Sequence, residues 1–406
     1  MKTTFSSLII FVFLLGSISC SAPQKTKSGT SHSESAGLRG VFFNPHLATI
    51  PHPENPSAIF LRYDKAYRAE VKAALNDLAK DAGINFVSLF IPIPLTLKKA
   101  ATAPPAAKPN TILTDDDLRY YNTVFLDGIA LFIEDCHEAG ISVELDLADN
   151  RWVPYAINPA QRKVGHKGEP YWPVADDTPW DESARWYSDV ITYIEEKTKH
   201  PENIALWTIT GNYLLGTAEP DLWSPDVLKV TEQYVKYVWP IFVKAGKRPK
   251  GTPVLLPIYA DDPYWNKKTS DERLAAFVNI KKWLVDDLEL PPDYWVMTTY
   301  PFTDPASDGV KYIERIIDII GRENVSRIIS TDLKGPGHED ELSATMFDYS
   351  RYSSAELLEW QLKTSKEYGF AGWWIWSYQG TPTDPTGIRK ADGEWRTELV
   401  DVIRKY

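Results

Sequence analysis

The sequence predicts a (β/α)8 barrel. Short apolar, β-branched runs alternate with longer amphipathic segments, and eight such pairs follow one another along residues 38–406. That length suits one barrel of this kind. A doubly wound open sheet is the competing topology, and it is disfavoured because no glycine-rich phosphate-binding motif follows the first predicted strand.

The predicted strands are short and rich in apolar and β-branched residues, as expected for a sheet that is covered on both faces. Parallel strands need long crossover connections, and the helical segments supply them. In chain order, the predicted strands are residues 38–43, 84–91, 141–147, 204–210, 252–259, 294–300, 326–332 and 369–376.

The predicted helices carry capping signals at both ends. Several begin with Asp or Ser, whose side chains accept hydrogen bonds from N–H groups of the first turn. Gly83, Gly140 and Gly369 end the helices before the second, third and eighth strands. In chain order, the predicted helices are residues 64–81, 115–139, 181–198, 224–244, 270–288, 307–320, 353–368 and 395–404.

Two long insertions, residues 98–114 and 151–180, follow strands and precede helices. Segments in that position lie on the carboxyl-terminal face of a barrel, where loops build active sites. We therefore expect functional residues in these loops and at the ends of the strands.

Residues 1–19 have the features of a secretory signal, with Lys2, an apolar run over residues 8–15 and small residues before Cys20. The apolar run is too short to span a bilayer. A Cys in this place indicates a lipoprotein with Cys20 as the lipidated mature terminus; ordinary secretion is the alternative. Residues 20–37 are polar and Ser-rich, which predicts a flexible tether before a single domain over residues 38–406.

This organisation predicts a protein of the cell envelope, on the periplasmic face or the cell surface, held to the membrane only by its lipid. Without residues 1–19, which contain Lys2 and no acid, 43 basic and 55 acidic residues give a net charge of −12. That balance, with no basic block, excludes nucleic acid as an expected partner. Cys136, within a predicted helix, is expected to be a buried, unpaired thiol, and the protein is expected to act as a monomer.

Four segments carry a resemblance to a known family. They are residues 39–41 with Asn44 and His46, residues 145–150, residues 200–207, and residues 369–376. In order and spacing they resemble the cellulase-like enzymes of glycoside hydrolase family 5 and its clan of (β/α)8 barrels. The resemblance spans nearly the whole barrel and implies an activity on poly- or oligosaccharides that needs no cofactor.

The resemblance also implies two catalytic carboxylates, and this chain departs from it at both. The clan has a general acid/base Glu after an Asn at the end of the fourth strand, and a nucleophilic Glu at the end of the seventh. Here Asn212 is followed by Tyr213, and the seventh predicted strand ends at Asp332.

Positions that support the nucleophile in the clan differ as well. Ser88 stands in place of an Arg on the second strand, and Ala148 and Thr298 stand in place of His on the third and sixth. Tyr300 is kept. These changes weaken the inference of chemistry more than the inference of fold.

Three functions are open on these residues. The first is a glycosidase whose carboxylates are Asp332 with Asp149, or Asp332 with Asp261 or Asp262, supported by Asn212 and Tyr300; a pair across the barrel mouth would suit an inverting reaction. The second is a sugar-binding lipoprotein that has lost hydrolysis. The third is a metal-dependent hydrolase that uses residues 338–341, His-Glu-Asp-Glu, although their spacing favours a solvated acidic loop.

Aromatic residues are abundant, with 15 Trp and 21 Tyr, and some fall in predicted loops where they can serve as platforms for sugar rings. Trp374 and Trp376 share one face of the eighth strand; one is expected to form the floor of a sugar subsite and the other to pack in the core. The other predicted sugar contacts are Trp152, Trp265, Tyr213, Asn44 and His46.

Glu144 and Asp146 alternate with apolar neighbours on the third predicted strand, so both are expected to point into the barrel. A buried carboxylate needs a partner. Arg39 on the first strand is the predicted one.

Overall fold

A computed structural model describes residues 37–45, 56–91, 96, 121–147, 163–164, 170–171, 180–209, 225–255, 270–298, 309–334, 353–380 and 387–406. The chain divides into two units, residues 1–36 and Gly37–Tyr406, and all described residues belong to the second.

Eight parallel strands close into a barrel, which confirms the predicted fold. They are β1 (Leu38–Phe42), β2 (Phe86–Phe90), β3 (Ser142–Leu147), β6 (Ile204–Ile209), β7 (Lys250–Leu255), β8 (Tyr294–Thr298), β9 (Ile328–Lys334) and β10 (Gly372–Trp376). Their order around the barrel is β1-β10-β9-β8-β7-β6-β3-β2. Two short strands that the sequence did not predict, β4 (Lys163–Val164) and β5 (Pro170–Tyr171), form a separate antiparallel pair.

Five barrel strands begin at other residues than predicted: β2, β3 and β9 begin one or two residues later, β7 begins earlier, and β10 begins later. β7 begins at Lys250, two residues before the predicted start, because Lys250 and Gly251 pair with Trp207 and Thr208 of β6. β10 begins at Gly372 and not at Gly369. Gly369 has a φ of 74° and caps the preceding helix, a conformation that glycine adopts without steric cost.

Among the described residues, eight α-helices alternate with the barrel strands, and all begin and end within two residues of the prediction except the second and the fifth. The second begins at Thr123, where Asn122 Oδ1 accepts the N–H of Phe125 at 3.3 Å; the fifth changes to a π-helix over Lys282–Asp287; the last begins at Thr397. None of the described helices is both long and apolar enough to cross a membrane. The helices are α1 (Lys65–Asp81), α2 (Thr123–Ala139), α3 (Trp180–Lys197), α4 (Pro225–Lys244), α5 (Ser270–Lys281), α6 (Gly309–Ile320), α7 (Ser354–Tyr368) and α8 (Thr397–Lys405).

Buried apolar side chains form two layers, one between strands and helices and one inside the barrel. Gly40 allows the inner layer to close, because an added Cβ there would lie 2.5 Å from Phe86 and 2.9 Å from Trp374. The interior is therefore a packed core and not a pore. Its buried members are Phe42, Phe86, Leu206, Val296, Ile329 and Trp374.

A buried carboxylate joins α2 to α1. The Asp135 side chain has 0% exposed area. It accepts hydrogen bonds from Arg68 Nη2 at 2.7 Å, from Arg68 Nε at 2.8 Å and from the Tyr63 hydroxyl at 2.9 Å. Because these donors replace water around the charge, the pair of helices is held in one relative position.

Candidate functional site

Three aromatic side chains meet at the carboxyl-terminal end of the barrel. Phe42, Phe90 and Trp376 are the last residues of β1, β2 and β10. The rings of Phe42 and Trp376 are stacked, with centroids 4.3 Å apart and an interplanar angle of 8°. The centroids of Phe42 and Phe90 are 4.6 Å apart. We call these three residues the rim aromatic cluster.

The closed sheet brings the rim aromatic cluster together. β1 lies between β10 and β2, so the last residues of its two neighbours flank Phe42. Phe42 is buried, whereas Phe90 and Trp376 keep part of their surface exposed. A buried ring, stacked on Trp376 and in tilted contact with Phe90, gives the two partly exposed rings an apolar support at the barrel mouth. Trp374, the other Trp of this strand, is 4% exposed and lies in the interior core.

Below the rim aromatic cluster, the barrel interior contains a carboxyl group. Glu144 of β3 accepts a hydrogen bond from Thr208 Oγ1 at 2.6 Å. Three other polar atoms here are buried: the second carboxyl oxygen of Glu144, Ser88 Oγ and Trp374 Nε1. None of the three makes a hydrogen bond within the described part of the chain. We call Glu144, Thr208, Ser88 and Trp374 the interior polar cluster.

Burial raises the pKa of the Glu144 carboxyl. The hydrogen bond from Thr208 and the nearby Ser88 hydroxyl and Trp374 indole N–H oppose this rise without cancelling it. A carboxylate without a cationic partner is costly inside a protein, and uptake of a proton removes that cost.

The predicted pairing of Arg39 with Glu144 is wrong. Gly40 and Phe42 contribute to the barrel interior, and side chains alternate along a strand, so Arg39 is directed to the other face of β1. Its Nε is buried and makes no hydrogen bond within the described residues. Thr208, on the strand next to β3, is the observed partner of Glu144.

Asp146 is the next inward-facing residue of β3 after Glu144, as predicted. Only 6% of its surface is exposed. In the strand ladder it pairs with Phe90 of β2 and with Thr208 of β6. This register brings an acidic residue to the level of the rim aromatic cluster.

The strand that carries Asp332 is irregular at that residue. Ser330 pairs with Trp373, and Leu333 pairs with Ile375, so two residues of β9, Thr331 and Asp332, stand opposite the single residue Trp374. Such a bulge re-aims side chains, and bulges are common next to active sites. The backbone of Asp332 therefore lies near the carboxyl-terminal end of the barrel, two residues before the end of β9.

Asn44 connects the segment after β1 to the segment after β10. Its Nδ2 donates to Ser377 Oγ at 3.1 Å and to the Gln379 carbonyl at 2.8 Å. Its Oδ1 accepts the N–H of Gln379 at 3.0 Å. These bonds use the Asn44 amide to shape the barrel mouth, a structural role that the sequence did not predict.

The remaining predicted site residues lie outside the described residues, and their roles stay predictions. The same holds for the acidic segment at residues 338–341. The predicted residues in question are Cys20, His46, Asp149, Trp152, Asn212, Tyr213, Asp261, Asp262, Trp265 and Tyr300.

Sequence reasoning did not select Phe42 or Phe90 as site residues. The available signal was positional: each ends a strand, and the two strands are neighbours in the barrel. Their contact also depends on register, which short apolar strands do not reveal.

The closed barrel is a fold that the chain shares with family 5 glycoside hydrolases, and the predicted structural resemblance is confirmed. No protein-family model matches the sequence, and no curated protein matches it.

Three solved structures illustrate the similarity. GH5_18 from Streptomyces cattleya, in complex with GlcNAc, has a TM-score of 0.54 and 12% identity over 91% of this chain and 80% of its own. GH5_18 from Bifidobacterium longum subsp. longum has a TM-score of 0.53 and 11% identity over 91% and 78%. The exo-beta-1,4-mannosidase Op5Man5 from Opitutaceae bacterium strain TAV5 has a TM-score of 0.53 and 12% identity over 91% and 59%. At such identities the shared feature is the barrel fold.

Proposed function

We propose that this chain is a glycoside hydrolase-like lipoprotein of the cell envelope that binds a poly- or oligosaccharide at the carboxyl-terminal end of its barrel and hydrolyses its O-glycosidic bonds. The rim aromatic cluster carries the proposal. It places partly exposed aromatic faces where (β/α)8 enzymes build their active sites.

Aromatic faces suit sugars because the C–H bonds of a pyranose ring form an apolar patch that packs on a flat ring. Trp376 has the largest ring of the rim aromatic cluster, and its stacking on Phe42 limits its motion. A few polar groups around an apolar surface then set the orientation of a ligand. Asp146 and the loop positioned by Asn44 lie at this level of the barrel.

Hydrolysis needs two carboxyl groups across the scissile bond, about 5–5.5 Å apart for retention and about 6.5–9.5 Å apart for inversion. Asp332 is the first of the pair in this proposal. Its backbone lies at a strand bulge near the end of the barrel that bears the rim aromatic cluster. Asp149 follows β3 by two residues, and Asp261 is the alternative partner.

A sugar-binding protein without hydrolysis is the second candidate. It is favoured by the small neutral residue Ser88, which is fully buried in the interior where the resembling enzymes carry an Arg. That function needs the rim aromatic cluster but no pair of carboxylates.

A screen of the purified protein against a polysaccharide panel separates the two candidates when binding and reducing-end release are scored independently. Under the proposal, Asp332→Asn abolishes release and leaves binding largely unchanged. Trp376→Ala weakens binding about tenfold or more, because truncation of an aromatic hot spot costs about 2 kcal/mol or more and about 1.4 kcal/mol corresponds to tenfold. Trp360→Ala, on α7 away from the rim, is the matched control and keeps both activities.

Binding without release in the unmodified protein would favour the second candidate. Release that survives Asp332→Asn would assign the chemistry to other carboxylates. If Trp376→Ala bound the polysaccharide as well as the unmodified protein does, the proposed sugar contact at the rim aromatic cluster would be contradicted, and with it both candidate functions.

Attachment to the envelope is tested separately. Metabolic labelling with a clickable palmitate analogue should modify the unmodified chain and not Cys20→Ser. Equal labelling of the two proteins would contradict lipidation at this residue.

A further inference from the structure

Two histidines and a glutamate converge at the opposite end of the barrel from the rim. His137 lies in the last turn of α2. His200 and Glu202 lie just before β6, and Glu202 belongs to the 3-10 helix Pro201–Asn203. One potential ligand atom from each of the three side chains lies within 4.8 Å of the other two.

We propose that His137, His200 and Glu202 bind a divalent transition-metal ion, with zinc as the reference ion. Two imidazoles and one carboxylate are a ligand set that zinc, nickel and copper(II) accept, whereas magnesium and calcium prefer oxygen ligands alone. Three protein ligands leave one tetrahedral position for water. The site lies away from the barrel mouth, so this proposal is independent of the proposed function.

The ligands need only a small rearrangement to close on an ion. Zinc–nitrogen bonds of about 2.0–2.1 Å place tetrahedral ligand atoms roughly 3.3 Å apart. At present the two imidazoles are stacked, with centroids 3.7 Å apart and an interplanar angle of 8°. Parallel rings cannot direct two lone pairs at one ion, so one ring must rotate. His137 is exposed and has room to do so.

Glu202 is already directed at the histidines. Its Oε1 lies 2.9 Å from Nδ1 of His200. A glutamate carboxyl is ionised at neutral pH, so Glu202 offers an anionic ligand atom beside the two imidazoles.

The surrounding charges are compatible with a bound cation. The carboxyl-terminal end of α2 carries partial negative charge, which favours cations. Glu138, next to His137 in sequence, is ion-paired with Lys72, so its charge is largely compensated. Lys199 is the neighbouring cation, and its Nζ lies 3.4 Å from Glu134 Oε2, with which it forms an ion pair.

A metal here would join two segments that already touch. Asn203 Nδ2 donates to the carbonyl of Ile141 at 2.8 Å, between the approach to β6 and the start of β3. A shared ion would add to the contact between α2 and this segment that the Lys199–Glu134 ion pair already makes. An ion that binds the folded chain and not the unfolded chain raises the melting temperature.

Isothermal titration of the metal-free protein with zinc sulfate tests the proposal. We expect one zinc per chain at this site, and at least about tenfold weaker binding in His137→Ala, His200→Ala and Glu202→Gln, because even outer-shell changes cost about 10–100-fold. Glu138→Gln is the matched control on the same helix end and should bind within about twofold of the unmodified protein. His338→Ala reports any zinc bound by the acidic segment at residues 338–341.

The melting temperature gives a second readout. Zinc should raise it in the unmodified protein and in Glu138→Gln, and this increase should disappear in the three ligand variants. Zinc binding that is lost in His338→Ala and kept in His137→Ala and His200→Ala would overturn the proposal, as would an absence of zinc binding by the unmodified protein.

Discussion

Glu144→Gln tests whether the interior of the barrel holds a proton at this residue. The amide has nearly the same shape as the carboxyl group and cannot ionise. In one orientation the amide nitrogen donates to Thr208 Oγ1, and the amide oxygen faces Ser88 Oγ and Trp374 Nε1. These two buried groups make no other hydrogen bond within the described residues. We therefore expect the variant to fold and to match the stability of the unmodified protein at acidic pH.

The difference in the free energy of unfolding between Glu144→Gln and the unmodified protein should grow as pH rises. Burial raises the pKa of Glu144 in the folded state, so between the unfolded and the folded pKa the folded chain binds more protons at this residue than the unfolded chain. The stability from this proton is complete below the unfolded pKa and is lost as pH rises through the folded pKa. One proton sets a maximum slope of about 1.4 kcal/mol per pH unit.

Urea denaturation of both proteins at several pH values from about 4 to 8 measures this slope. Glu144→Gln should gain stability relative to the unmodified protein as pH increases. Glu138→Gln is the control of opposite sign, because a hydrogen bond from Lys72 lowers the pKa of the exposed Glu138 carboxyl, and its contribution is lost as pH falls. A difference between Glu144→Gln and the unmodified protein that does not change with pH would refute the reasoning.

Three further predictions concern the helical layer. Asp135→Ala leaves the partly exposed Arg68 without its buried partner and should lower the free energy of unfolding by about 3 kcal/mol, measured by denaturation; a loss below about 1 kcal/mol would contradict the role of this ion pair. Cys136 is fully buried and burial raises the pKa of its thiol, so it should resist a thiol reagent in the native protein and react once the chain is denatured. Gly128→Ala should destabilise by about 1–3 kcal/mol although alanine favours helices, because the added Cβ would lie 2.5 Å from the Phe60 carbonyl oxygen; an unchanged melting temperature would show that the contact relaxes.

Only part of the barrel interior could be predicted from the sequence, because alternation along a strand is a local property and contacts between strands are not. The inward direction of Glu144 and Asp146 followed from alternation along β3, and both are buried as expected. The aromatic pair Trp374 and Trp376 was placed on one face by the same rule, but only the structure shows that Trp374 is enclosed and Trp376 reaches the rim.

The sequence by itself determined the repeated strand and helix pattern, because apolar periodicity and capping are local properties of the chain. It also determined which residues of a strand share a face, as Glu144 and Asp146 do on β3, since side chains alternate with a period of two residues. The contacts between those faces were decided only by the closed barrel. Strand register places Phe42 against Trp376 and places the Thr208 hydroxyl, and not Arg39, beside Glu144. It also produces the bulge at Asp332. Register is a relation between segments far apart in the chain, and no single segment contains it.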